Sequence, residues 1–176
     1  TYYIRRNAKP EKKIELRLAV NAGSVQENDN QLGLAHFMEH MGFNGSKNFP
    51  KNELVDFLQK TGVDFGADLN AYTSFDETVY ILSLPTEDAG MVDKGFTVLE
   101  DWAFNNLLDK TEIEKERGVV LEESRLSKGS WERMSRQYFP KLLNGSKYAD
   151  RLPIGKDDIL KNFKYETLKN FYTSWY

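Results

Sequence analysis

Cysteine is absent from this 176-residue chain, which excludes disulfides and thiolate metal ligands together. Histidine is nearly absent, with two residues in all. No apolar run approaches the ~20 residues that a membrane-spanning helix needs. Neither sign of charge dominates. A net charge of −3 and a pI near 5.5 give no electrostatic case for nucleic acid or an anionic membrane, and neither is expected as a partner. Internal repeats and low-complexity linkers are also missing. No signal peptide is visible, yet Thr1 is not an initiator methionine, which leaves room for an upstream segment that has been removed. What is present is ordinary for a globular protein, 40% hydrophobic and 29% charged. A chain of this length buries roughly 70% of its unfolded surface in one domain.

The chain is expected to open with a hairpin: an extended run through Tyr2-Tyr3-Ile4, a turn around Asn7 to Pro10, then a strand from Ile14 to Asn21. In that strand Ile14, Leu16, Leu18 and Val20 alternate with Glu15, Arg17 and Ala19. A polar loop leads to a helix over Leu32 to Phe43, with Leu34, Phe37, Met38 and Met41 as its apolar stripe. Pro50 opens a second helix and Gly62 closes it. Two strands follow, Asp68 to Thr73 and Glu77 to Leu84, joined by a turn at Ser74-Phe75-Asp76; the β-branched and aromatic run from Thr78 to Leu82 reads as a central strand. Thr86 is expected to cap a third helix reaching Asn105, with Val92, Phe96, Leu99 and Trp102 inward. Thr111 and Glu114 form a capping box at the head of a long charged helix that Pro140 ends. A short helix near Asp157 to Phe163 and an aromatic one from Tyr165 to Tyr176 complete one domain of mixed strands and helices.

The whole imidazole supply falls in the run His36-Phe37-Met38-Glu39-His40. On a helix, residues i and i+4 stack on one face with Cβ atoms about 6 Å apart, so both rings can reach one Zn²⁺ at about 2.0–2.1 Å. Glu39 lies about 60° round the helix from His36. There it can hydrogen-bond a water on the metal without ligating, take the proton on attack and pass it to a leaving amine. The order His-x-x-Glu-His is the inverted form of the zincin motif. Chance pairing of surface histidines is the bland alternative, and the interleaved glutamate argues against it.

A hydrolytic zinc site takes three protein ligands and leaves one position open. With no cysteine and no third histidine, the third ligand must be Asp or Glu. Glu112, Glu114, Glu116, Glu122 and Glu123 are the densest supply; Glu116 and Glu123, seven apart, share a helix face and flank Val119-Val120. An acidic helical run more often makes a solvated face than a ligand, and spacing alone does not choose among these carboxylates.

Three blocks together resemble the pitrilysin/insulinase family of zinc metallopeptidases. The first runs from Gly33 through the pentad to Met41-Gly42-Phe43-Asn44-Gly45-Ser46. The second is Leu69-Asn70-Ala71-Tyr72-Thr73-Ser74 with Glu77-Thr78-Val79-Tyr80, and the third is Glu116-Arg117-Gly118-Val119-Val120-Leu121-Glu122-Glu123. With the lead-in Arg17 to Ser24 they span nearly the whole chain, and their flavour is similar to bacterial periplasmic or cell-envelope zinc proteases. The resemblance implies His36 and His40 as zinc ligands, Glu39 as general base, Glu123 as third ligand and Glu116 as a supporting carboxylate near the histidines. The stretch between His40 and Glu123 is a few residues longer than the family commonly shows, an excess that the segment 62–67 can absorb; it leaves Glu122 as a rival ligand. Asn70 and Ala71 match positions that touch a peptide added as an extra strand at a sheet edge; on the residues alone, Asn70 to Ser74 is a plain hairpin strand.

The resemblance further implies an α+β fold, a mixed, mainly antiparallel sheet with helices packed on one face. It also implies a single truncated N-terminal zinc-binding domain over 1–176 whose active chamber is completed by C-terminal domains of the same longer chain. The expected activity is zinc-dependent endopeptidase cleavage of extended or unfolded peptides, weak or lacking in this portion alone. The alternatives are a non-catalytic family scaffold, which usually loses the pentad; a structural zinc module, which would have four protein ligands and no use for Glu39; and S-ribosylhomocysteine lyase, which shares the inverted pentad but needs cysteine.

Overall fold

The computed structural model describes residues 1–51, 53–60, 62, 63 and 66–176, with Lys60 described by its backbone alone. Three strands form an antiparallel sheet in the order β1-β3-β2: β1 is Lys13–Val20, β2 Leu69–Thr73 and β3 Thr78–Pro85. β1 meets β3 from Lys13↔Pro85 to Val20↔Thr78, and β2 meets β3 from Leu69↔Leu82 to Thr73↔Thr78. The period-two pattern of β1 and the apolar run of β3 put Leu16, Val20, Tyr80, Leu82 and Leu84 on one buried face. Helices cover that face, so the class is α+β as expected. The sheet is antiparallel in each of its described pairings.

The opening hairpin does not form. Tyr2, Tyr3 and Ile4 are 85–93% exposed and belong to no strand, so β1 is an edge strand. Three consecutive apolar residues followed by Arg5-Arg6 lack the alternation that would bury one face of a strand.

α1 is Leu34–Met41, with Leu34, Ala35, Phe37, Met38 and Met41 fully buried. Side chains from elsewhere pin it along its length. The buried Glu27 carboxylate accepts from the N–H groups of Gly33 at 2.9 Å and Ala35 at 2.8 Å, closing the helix N-terminus that Gly33 has no side chain to cap. Tyr80 donates its hydroxyl to the Met38 carbonyl at 3.0 Å, and Trp102 Nε1 donates to that of Gly42 at 2.9 Å.

α2 is Glu53–Lys60, followed by Gly62 and by a Val63 N–H that reaches back to the Leu58 carbonyl at 3.0 Å. In the segment 62–67, Asp64 and Phe65 lie outside the described residues. α3 is Ala89–Phe104, and its cap is Asp88, not Thr86: the Asp88 carboxylate accepts from the Gly90 N–H. The inward face of α3 is Gly95, Val98 and Trp102, while Phe96 is 54% exposed. A Cβ at Gly95 would stand 2.4 Å from Leu84, so glycine lets α3 approach the sheet and rotates Phe96 out.

The long charged helix is two. α4 is Lys110–Ser127, headed by Asp109, whose carboxylate takes the N–H groups of Thr111 and Glu112, so the Thr111–Glu114 box is not the cap. It ends at Lys128-Gly129, where glycine is a poor helix residue. α5, Ser130–Leu142, then runs through Pro140, which lies in its last turn and interrupts little hydrogen bonding there. α6, Asp157–Asn162, and α7, Tyr165–Trp175, lie where the sequence places them. α6 is tied to α4: Arg117 donates to the Leu160 and Phe163 carbonyls and stacks 3.9 Å over the Phe163 ring, and Ser124 Oγ donates to Asp157 at 2.7 Å.

Candidate metal centre

His36, Glu39 and His40 are the residues of α1 that are not fully buried, and they face α4 and β2. The two histidine Nε2 atoms are 3.2 Å apart, with rings edge to face at 89°. Glu123 of α4 brings Oε2 to 3.3 Å from His40 Nε2 and 3.6 Å from His36 Nε2. These three donor atoms lie within 4.8 Å of one another and could hold a metal ion. Two imidazoles and a carboxylate are a donor set that suits Zn²⁺. Glu122, one residue away, is exposed and engaged by Arg125 at 2.5 and 2.8 Å.

The two rings are supported unequally. His40 Nδ1 donates to Glu116 Oε1 at 2.7 Å, which leaves its Nε2 lone pair turned to the common centre. Glu116 Oε2 in turn accepts from Asn44 Nδ2 at 2.8 Å, and the same amide nitrogen reaches the His40 carbonyl at 3.2 Å. His36 Nδ1 is buried and finds no partner among the described residues. The rings therefore titrate in opposite directions. Burial, with His40 beside it, pushes His36 down to about 4. Burial would lower His40 too, but the hydrogen bond and charge of Glu116 outweigh it and hold the ring above its ordinary value. Glu116 is held below the usual carboxylate range, against burial, by His40 and Asn44. The Glu39 carboxyl is raised by burial, partly offset by a hydroxyl donated from Thr73 at 2.6 Å.

β2 is the free edge of the sheet beside this centre. The Ser83 N–H donates to the Asp68 carbonyl, which marks Asn70↔Ile81 and Tyr72↔Val79 as the hydrogen-bonded pairs of the ladder. The main-chain groups of Ala71 therefore point to the open edge, where the Asn70 side chain accepts the Ala71 N–H at 2.9 Å. A cleft of about 500 Å³ runs alongside, its lining including Glu39, His40, Phe43, Val55, Asn70 and Ala71. His36, Glu39, His40, Asn70, Ala71, Glu116 and Glu123 thus gather around one centre, and the rival Glu122 stays apart from it. Asn44, Thr73 and Glu27 were not singled out. Asn44 stands one helical turn after His40, a spacing that could have found it; Thr73 and Glu27 carry no local signal.

Residues 2–148 match the family described as Insulinase (Peptidase family M16). The chain is 38% identical over 175 residues to a protein of Arabidopsis thaliana named zinc protease PQQL-like, covering 99% of this chain and 18% of the relative. It is 40% identical over 175 residues to the probable zinc protease PqqL of Escherichia coli strain K12, covering 99% and 19%. The crystal structure of the periplasmic protease PqqL from Escherichia coli superposes with a TM-score of 0.89 over 94% of this chain and 18% of that one. The chain thus spans about a fifth of the length of these relatives. With the pentad, the acidic helix and the edge strand gathered as described, the chain belongs to the insulinase family, peptidase family M16.

Proposed function

We propose that this chain is the zinc-binding domain of a longer endopeptidase, in which His36, His40 and Glu123 hold Zn²⁺ and Glu39 is the general base. The observation that carries this reading is the convergence of His36 Nε2, His40 Nε2 and Glu123 Oε2, with the Glu39 carboxylate alongside. Zinc, when bound, supplies Lewis acidity that lowers the pKa of water towards ~7 and polarises a carbonyl. Glu39 takes the proton from the attacking water and returns it to the leaving amine nitrogen; its raised pKa brings it closer to the working range of such a base. Glu116 fixes the tautomer and orientation of His40. Three ligands leave one position open, which favours a hydrolytic over a structural site.

An extended peptide adds to the β2 edge, paired through the Ala71 carbonyl and, once the Asn70 side chain releases it, the Ala71 N–H, so that binding depends little on substrate side chains. Further domains of the same longer chain complete the chamber, in line with the small share of its relatives that this chain covers. A periplasmic or cell-envelope location is proposed on the likeness to the Escherichia coli protease whose structure is described as periplasmic. The deciding experiment pairs metal analysis with hydrolysis of an unstructured peptide by the full-length protein. Glu39→Gln is expected to keep zinc and lose turnover, and Glu123→Gln to lose metal affinity. Zinc loss in Glu122→Gln with retention in Glu123→Gln would reassign the third ligand.

A further inference from the structure

Thr73 lies on the same strand as Ala71, two residues on and on the same face, at the C-terminal end of β2. Its hydroxyl has one proton to give. Glu39 Oε2 stands 2.6 Å away, and the other neighbour, Thr78 Oγ1, stands at 3.4 Å. Thr78 cannot supply a proton in return, because its own is donated to the Ala22 carbonyl at 2.9 Å. The Thr73 proton is therefore directed to the Glu39 carboxylate, a charge-assisted hydrogen bond of the stronger kind.

The backbone under Thr73 is also locked. The next two carbonyls, of Ser74 and Phe75, accept the N–H groups of Ser24 at 3.1 Å and Val25 at 2.9 Å. The loop that makes those bonds comes so close that a Cβ at Gly23 would stand 2.4 Å from the Ser74 oxygen. A side chain on a clamped strand end is a fixed point, whereas a glutamate on a helix face has three rotatable bonds.

We propose that Thr73 is the positioning residue of the general base: it engages Glu39 Oε2 and leaves Oε1 to face the reacting water. One rigid strand then sets both partners of the reaction, the peptide through Ala71 and the base through Thr73. This inference rests on the reading of Glu39 given above.

The test uses full-length, zinc-loaded protein carrying Thr73→Val, which keeps the shape and removes the hydroxyl, and Thr73→Ser, which restores it. Thr73→Val is expected to lower kcat about tenfold with KM and zinc content unchanged, a loss typical for an outer partner of a metal site. Thr73→Ser is expected to recover kcat to within about twofold of wild type. Crystal structures are expected to show the Glu39 carboxylate turned in Thr73→Val and in place in Thr73→Ser. The proposal is overturned by a kcat for Thr73→Val within twofold of wild type, by a loss confined to KM, by loss of zinc, by failure of serine to rescue, or by an unmoved carboxylate. If Glu39→Gln itself retains turnover, the assignment of the base falls instead, and the carboxylate positions still decide whether Thr73 holds Glu39.

Discussion

α4 and α5 follow one another across a two-residue break and fare differently. α4 is the more charged and carries few apolar side chains, yet it is the one that packs against both α1 and α6. Ile113, Val120 and Ser124 make a narrow buried stripe, Arg117 and Ser124 bind α6, and Glu116 and Glu123 reach the histidines of α1. α5 carries Trp131, Met134, Tyr138 and Leu142, each more than half exposed, and buries only Ser135. Apolar content does not decide which helix packs; a complementary surface does. α4 finds one in α1 and α6, where two aliphatic side chains and a serine suffice because polar ties do the rest. Its surface ion pairs, such as Lys115–Glu112, add a few tenths of a kcal/mol at most.

The contrast can be broken at several strengths. A charge placed in the buried stripe by Val120→Asp, at a fully buried position, is expected to cost about 3–5 kcal/mol in urea denaturation. The matching Met134→Asp on α5 is expected to stay within about 0.5 kcal/mol. Similar losses at both sites would erase the distinction.

Metal binding is expected to divide the helices in the same way. In competition with a chelator, Glu123→Ala is expected to weaken zinc binding about 100-fold or more, beyond what loss of an outer partner costs. Glu132→Ala on α5, whose carboxylate pairs only with Arg136 among the described contacts, is expected to leave it unchanged. Glu116→Gln is expected to fall between, at about tenfold, since it removes the charge behind His40 and keeps its shape.

Acid titration of the metal-free protein probes the burial of His36 beside His40. The folded-state pKa of His36 is depressed to about 4 from 6.5, so its contribution to stability is full above about pH 6.5 and is lost as pH falls towards 4. His36→Gln is expected to flatten the denaturation midpoint across that window. An unchanged slope would mean that the ring is solvated. The smallest effect is expected from Met134→Ser, which removes an exposed side chain and shifts stability by less than about 0.5 kcal/mol.

Much of the fold was legible where the pattern is strong and local. β1, β2, β3, α1, α6 and α7 lie within a few residues of their expected places, because alternation, β-branching and the 3.6-residue stripe each report a face that must be buried. The failures have two causes: a rival cap two residues away, and packing that no local pattern reports. Asp88 and Asp109 outcompeted the expected caps by presenting a carboxylate to the first N–H groups. Phe96 turned outward because Gly95 allows α3 to sit closer to Leu84 and Leu16 than a side chain would. Tyr2 to Ile4 formed no strand because three consecutive apolar residues lack the alternation that would bury one face.

The sequence by itself determined the chemistry on offer: two histidines one helical turn apart, a glutamate between them, no thiol, and a supply of carboxylates on a later helix. These follow from helical periodicity and from composition, which need no fold to be read. Only the tertiary structure decided which carboxylate meets the rings, which one stands behind His40, and that Thr73 reaches Glu39. Glu122 and Glu123 are neighbours in the chain but point about 100° apart on a helix, so the packing of α4 against α1 selects between them. Neither the rotation of a helix about its axis nor the meeting of an edge strand with a helix is encoded in any short run of residues. Both come from filling a common core.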